Sequence, residues 1–568
     1  MNKIYKSVVL LFATLFCFSF ALGQADSVGA GFHSVTRIME NPDVNNSDRV
    51  PQLVVGGLDL NENGKKEFLY ITDNTFTGGR QSFYLGYSLF LYEYDNATTS
   101  YKNIWQWSLK DTVGGSFPVF TIADLDGDTH KEIVLGVQYA ADLPVKGANP
   151  DRLLVFEFGT TLPTDPTATW NFDAPAGSNT RPSAIASGDV DGDSKQELGI
   201  AFRTFNGTSR GMMIVSLNGD FAGALTQWTK EMYDTTTSTG SIFGAARVTD
   251  LDNDGKKEIS FGHSGVARVY VYEATAANTY SKNVINLAKG TSLTSGNTFA
   301  MMQADINKDG KNELIFGAQG PVELYAVQNI TQLQSADSSQ DVKRIAKVTN
   351  IPKSGINEIR GLTVGDIDGN GKTDIFTCNG SRIWRFEYKG TGLITDSSSY
   401  TTSIVYSDTN TSSRYRWVTF TGDDWSKSMG ISGGDMDGDG KAELILANQR
   451  GGSPDQFASK IVLIESDVVT SVEINDKGQV VATYKLEQNY PNPFNPTTKI
   501  NYSISSAQQV KLEVYDITGR LVTTLVNGVM SAGEHTVSFN ASGLASGTYI
   551  YSLTSGSNSI SKKMVLMK

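Results

Sequence analysis

A nine-residue pattern with oxygen-bearing side chains at its first, third, fifth and ninth positions occurs seven times in this chain of 568 residues. The first three copies are Asp59, Asn61, Asn63 and Glu67; Asp124, Asp126, Asp128 and Glu132; and Asp189, Asp191, Asp193 and Glu197. The next two are Asp250, Asp252, Asp254 and Glu258, then Asp305, Asn307, Asp309 and Glu313. The last two are Asp366, Asp368, Asn370 and Asp374, then Asp435, Asp437, Asp439 and Glu443. Their starts lie 65, 65, 61, 55, 61 and 69 residues apart. Spacing this even marks one supersecondary unit repeated.

Alternate residues of a tight turn can all point inward, which suits calcium and its roughly six to eight oxygen ligands. Glycine at the sixth position, as in Gly64 or Gly440, supplies the positive φ such a turn needs. Turns two and three carry Thr129 and Ser194 there instead. Turn one has only Asp59 and Glu67 as ligand carboxylates, so it is expected to hold a cation most weakly. The flanks are not helical. Residues 429–434 before the seventh turn and 444–447 after it read as short strands, so the turn belongs to a β-hairpin and not to an EF-hand.

Charge agrees with metal. The chain is −12, and −14 without Lys3 and Lys6, while seven divalent ions would bring +14. Acidity therefore needs no basic partner, and no basic stripe points to nucleic acid.

Four strands can be read around each turn. In the third unit they are 183–188, 198–202, 212–217 and 225–230, with the turn between the first two. Four antiparallel strands repeated radially make a propeller blade, so an all-β, seven-bladed propeller is expected, in preference to a stacked solenoid. The seventh unit has three strands of its own, and residues 34–39 are predicted to add its fourth, closing the ring. Trp105, Trp170, Trp228 and Trp417 are read on or near fourth strands, and 400–413 as an extra insertion in blade six.

The units resemble FG-GAP or VCBS repeats of the integrin α-subunit propeller, over residues 24–470. That resemblance implies up to seven calcium ions on one face and a ligand on the other.

Residues 1–23 read as a secretory signal peptide: Lys3 and Lys6 precede an apolar run, and small residues precede Gln24. No later stretch is apolar enough for a transmembrane anchor. Removing the leader, which contains Cys17, leaves Cys378 alone, so metal turns are the expected staples of an exported chain without a disulfide.

Residues 471–485 form a polar linker. From 486 to 568 a proline-rich lead-in, Tyr490-Pro-Asn-Pro-Phe-Asn-Pro496, precedes alternating strands such as 510–515 and 547–553, which predicts a small β-sandwich. With its Tyr515-Asp-Ile-Thr-Gly-Arg520 turn, this segment resembles the type A C-terminal sorting domain of the type IX secretion system. The resemblance implies a Gram-negative, Bacteroidetes-like source, contact with the type IX machinery, and release or attachment at the outer cell surface.

No catalytic constellation is read. His33, His130, His263 and His535 stand in no triad or zinc spacing, and His263 is placed in a tight turn at 262–265. Connections between second and third strands are long in units seven, one, two and three. They carry Arg450, Arg80, Phe83, Tyr84, Tyr139, Lys146, Arg203, Phe205 and Arg210. Aromatics and arginines on loops suit a glycan or protein ligand. The expected function is that of an adhesion-like binding module; a propeller polysaccharide lyase and a passive surface scaffold remain as alternatives.

Overall fold

The structure is a computed structural model. It describes residues 27–28, 32–39, 50–75, 84–109, 119–137, 152–170, 181–203, 210–219, 227–236, 242–263, 268–287, 300–318, 323–328, 330, 341–347, 359, 361–368, 370–407, 415–420, 435–439, 441–448, 460–466, 485–486, 488–504, 508–530, 533–555 and 558–568. The leader, most of the linker and residues 429–434 lie outside them.

The described residues are all-β, in antiparallel sheets of three to five strands, none of which closes on itself. Five sheets consist of four strands consecutive in the chain. The first is Val50–Leu58, Glu67–Thr75, Tyr84–Asp95 and Ser100–Ser108. The second is Val119–Ala123, Glu132–Gly136, Leu153–Glu157 and Ala168–Trp170. The third is Arg181–Gly188, Glu197–Arg203, Arg210–Asn218 and Gln227–Thr236. The fourth is Ile242–Thr249, Glu258–His263, Arg268–Ala276 and Thr279–Asn286. The fifth is Ala300–Ala304, Glu313–Ala318, Glu323–Gln328 and Asp341–Lys347.

The last two repeat sheets borrow from the chain's start. The sixth is Leu362–Gly365, Asp374–Asn379, Arg382–Tyr388 and Tyr400–Ser407, with Ser27–Val28 added on its outer edge. The seventh is Tyr415–Phe420, Glu443–Asn448 and Lys460–Ser466, completed by Phe32–Met39 as its fourth strand, as the sequence predicts. Two expectations are corrected. Residues 400–407 are not an insertion but the sixth sheet's fourth strand, and Trp417 lies on the first strand of the seventh sheet, not on a fourth.

Second strands such as Glu132–Gly136 are buried along their whole length, which explains their unbroken apolar runs. Fourth strands such as Ser100–Ser108 mix buried and exposed positions because they form an outer edge. Successive sheets pack face to face. Leu69 and Leu91 share a core with Ile133 and Phe156, and Trp170 stacks on Trp228 at 5.3 Å between sheets two and three. A Cβ added at Gly199 would lie 1.7 Å from the Ile259 side chain, which would have to shift, so sheet four packs closely there. First strands meet first strands from sheet two through to sheet seven, and the seventh sheet packs on Val50–Leu58 of the first.

Residues 485–568 form a three-stranded sheet (Lys485–Leu486, Thr497–Ile504, Gly533–Asn540) and a four-stranded one (Leu521–Met530, Gln508–Asp516, Gly547–Ser555, Asn558–Leu566). Ile500 and Phe539 from one meet Leu512, Tyr551 and Met564 from the other in a single core.

Candidate metal centres

Each nine-residue pattern joins the first strand of a sheet to the second, and a common hydrogen-bond scheme recurs. The ninth residue begins the second strand and is buried. One of its carboxylate oxygens accepts the N–H of the second residue. The donors are Leu60, Leu125 and Val190 at 2.7 Å, Leu251 at 2.6 Å, Ile306 at 2.9 Å, Ile367 at 3.3 Å and Met436 at 3.1 Å. The fifth residue accepts the N–H of the seventh at 2.8–3.0 Å in every copy, from Lys65 on Asn63 to Lys441 on Asp439. The first residue caps the turn, as where Asp250 accepts from Asp254 and Gly255, and Asp435 from Gly438 and Asp439.

The sixth position lies at positive φ in all six copies where it is described, including Thr129 at 81° and Ser194 at 73°. Those two side chains occupy a conformation that glycine adopts freely. The fourth position is also left-handed, at Glu62, Asn253 and Lys308 as well as at Gly127, Gly192 and Gly438.

These bonds leave carboxylate oxygens facing one another. Ligand oxygens lie within 4.8 Å of each other in five turns: Asp250, Asp252, Asp254 and Glu258; Asp435, Asp437, Asp439 and Glu443; Asp124, Asp126 and Asp128; Asp189, Asp191 and Glu197; and Asp366, Asp368 and Asp374. The Oε1 atoms of Glu67, Glu132 and Glu258 are buried with no hydrogen-bond partner, and all three residues are fully buried. An unpaired buried carboxylate oxygen is costly unless something positive reaches it.

The electrostatics say the same. Burial, reinforced by neighbouring carboxylates, pushes Glu132 up to about 9 and Glu67, Glu197 and Glu258 to about 8. Burial takes Glu313 and Asp374 to about 7 and raises Glu443 well above its ordinary value. The donor set is hard oxygen, crowded and short of positive charge, and it fits a divalent cation such as calcium. Asn61 and Asn63 of turn one instead donate to Glu93, at 3.1 and 2.5 Å.

Sequence reasoning missed a second acidic position. Glu93, Glu157, Glu273, Glu387 and Glu465, on third strands, pair in register with the ninth residues of their sheets. The seventh-position lysines reach them in four sheets: Lys65 to Glu93 at 2.6 Å, Lys256 to Glu273 at 3.1 Å, Lys372 to Glu387 at 3.2 Å and Lys441 to Glu465 at 3.7 Å. The varying second-to-third connections hide these glutamates from any fixed spacing.

Neighbouring turns also touch. His130 Nδ1 lies 2.5 Å from Glu62 Oε1, and that bond raises the imidazole's pKa. Asn278 donates its N–H to Asp191 at 2.8 Å, Asn312 its N–H to Asn253 at 3.0 Å, and Lys308 its ammonium to the Gly371 carbonyl at 2.8 Å. His263 is not in a turn; it is the buried last residue of its strand.

Of the residues expected at a ligand face, Arg80, Tyr139, Lys146 and Arg450 lie outside the described residues. Tyr84 begins a third strand, Arg203 ends a second, and Arg210 is half-buried opposite Arg203.

Antiparallel sheets whose first and second strands are linked by acidic turns, followed by a small two-sheet unit, define an all-β protein with an appended C-terminal module. Residues 488–567 match the family described as the secretion system C-terminal sorting domain. The chain therefore carries a type IX sorting tail, which marks it for secretion and export to the cell surface in Gram-negative Bacteroidetes. No curated protein matches. One similar solved structure is that of PorZ from Porphyromonas gingivalis, described as an essential bacterial surface component of the type IX secretion system. The identity is 12%, with 88% of this chain and 58% of that one covered and a TM-score of 0.39. The chain thus spans under two thirds of that protein's length. No helix among the described residues is long and apolar enough to cross a membrane.

Proposed function

We propose that residues 24–470 form a seven-bladed, FG-GAP-like propeller stapled by calcium, and that it acts at the cell surface as a glycan- or protein-binding module. The observation that carries the metal reading is the buried, unpartnered Oε1 of Glu67, Glu132 and Glu258 inside clustered or capped acidic turns. The ring reading is supported by the succession of sheet contacts and by the packing of the seventh sheet on the first. Completion of the seventh sheet by Phe32–Met39 joins the two ends of the repeat region and covers the edge of Lys460–Ser466.

The binding reading rests on the connections between second and third strands. They span 449–459, 76–83, 137–152 and 204–209 in sheets seven, one, two and three, against 264–267, 319–322 and 380–381 in the others. Long connections carrying arginine and aromatic side chains on a rigid scaffold are the usual place for recognition. Arg80, Tyr84, Tyr139, Lys146, Arg203, Arg210 and Arg450 are the residues assigned to it.

The test is a glycan array and a pull-down on outer-surface extract, run with calcium on the full chain and on a variant with Arg80, Tyr139 and Arg450 changed to Ala. Binding lost in the variant at unchanged melting temperature is the expected result. Unsaturated ends released from acidic polysaccharide would replace this reading with a lyase. Absence of both binding and cleavage would leave the scaffold.

A further inference from the structure

The sixth turn differs from its relatives in one residue that lies outside it. Arg385 stands on the third strand of the sixth sheet, in register with Phe376. Its Nε donates to Asp374 Oδ1 at 2.6 Å, and its Nη2 donates to Asp368 Oδ2 at 2.6 Å and Glu387 Oε2 at 2.7 Å. Asp368 and Asp374 are the third and ninth positions of the turn. The guanidinium thus occupies oxygens that a divalent ion would need, in a fork geometry suited to carboxylates.

The site is built, not grazed. Arg385 is 11% exposed and Asp374 0%. Its guanidinium also lies over the ring of Phe32, 5.7 Å from the centroid. Lys308 of the fifth turn brings a second positive group to 3.9 Å from Asp366 Oδ2. Asn370, the fifth position, is neutral and gives its amide to Glu387 at 3.0 Å. One oxygen, Asp366 Oδ1, is left without a hydrogen bond.

The strand registers identify the matching residues elsewhere. Opposite the position two beyond the ninth stand Leu91, Val155, Ile214, Val271, Ala326 and Leu463. All six are aliphatic and buried. In those sheets nothing at this place can supply charge, so the turn's carboxylates must find it elsewhere. In the sixth sheet the chain supplies its own.

We propose that Arg385 is the resident cation of the sixth turn, and that this turn takes up no divalent ion, so the chain binds at most six. The proposal rests on the calcium reading of the other turns. Native mass spectrometry of calcium-saturated full chain counts bound ions in the wild type, in Arg385→Leu, and in Arg385→Leu combined with Asp368→Asn. The expected result is one more ion in Arg385→Leu than in the wild type, with the gain lost in the double variant. Seven ions in the wild type would overturn the proposal, as would an unchanged count in a folded Arg385→Leu. If the wild type binds none and Arg385→Leu binds one, Arg385 keeps its role and the calcium reading of the other turns falls; if neither binds any, both fall. Should Arg385→Leu fail to fold, Asp368→Asn alone decides: an unchanged count supports the proposal, and loss of one ion overturns it.

Discussion

Glu132→Gln should stabilise the metal-free protein and destabilise the calcium-loaded one. Glu132 is fully buried, its Oε2 accepts the Leu125 N–H at 2.7 Å, and its Oε1 has no partner. A glutamine keeps the first bond through its amide oxygen. Its NH2 then takes the place of Oε1 and donates toward Asp124, Asp126 or Asp128. The carboxyl is raised from 4.5 to about 9, so at pH 7.5 the folded metal-free chain carries a proton that the unfolded chain lacks. Three units at about 1.36 kcal/mol each set a ceiling of about 4 kcal/mol. An effective interior dielectric of about 20 and local water entry reduce this to about 2 kcal/mol, of which glutamine recovers most. With calcium the sign reverses, because a charged ligand is gone; a site held at about 100 times its dissociation constant contributes about 2.7 kcal/mol. The assay is thermal unfolding at pH 7.5 with chelator and with excess calcium, and opposite shifts of a few degrees are expected. Destabilisation of similar size in both conditions would refute the reasoning, since Glu132 would then act through packing alone.

Three further outcomes are expected. In chelator, stability should fall as pH rises from 6 to 9: carboxyls whose folded pKa is raised to about 7–9 stabilise fully below the unfolded value and cease to as pH passes the folded one. Calcium should flatten that profile, and a pH profile in chelator that rises would contradict it. Ser194→Gly and Thr129→Gly should each raise the urea midpoint, because relief of about 1–2 kcal/mol of left-handed strain exceeds the roughly 0.5–1 kcal/mol of added chain entropy; a lower midpoint counts against the φ of 73° and 81° found there. Deleting residues 24–39 removes the buried Phe32 and bares the edge of Lys460–Ser466, so a lower melting temperature and self-association by light scattering are expected. A monomeric deletion variant of unchanged stability would show that the N-terminal strand does not complete the seventh sheet.

The acidic turns were legible because their side chains sit at fixed offsets along one short piece of backbone, and nothing distant is needed to assemble them. The same holds for the alternating strands of the sorting tail, and for the pairing of 34–39 with the seventh unit, where a missing strand and a spare one can be counted. In the seventh unit the first strand of the sheet is Tyr415–Phe420, while the strand expected at 429–434 lies outside the described residues. Residues 400–407 read as an insertion because the connection between Arg382–Tyr388 and Tyr400–Ser407 disguises the sheet's fourth strand.

By itself the sequence determined a repeated four-strand unit, hard-oxygen turns and an exported chain with a C-terminal address. Each of these follows from local spacing and composition. Only the tertiary structure decided which charges meet across strands. Glu93, Glu273, Glu387 and Glu465 come to their turns through strand register, and Arg385 enters the sixth turn from eleven residues beyond Asp374. The physical reason is that carboxylates converging within a turn are a property of one backbone segment, whereas the charge that neutralises them comes from whatever the neighbouring strand sets opposite.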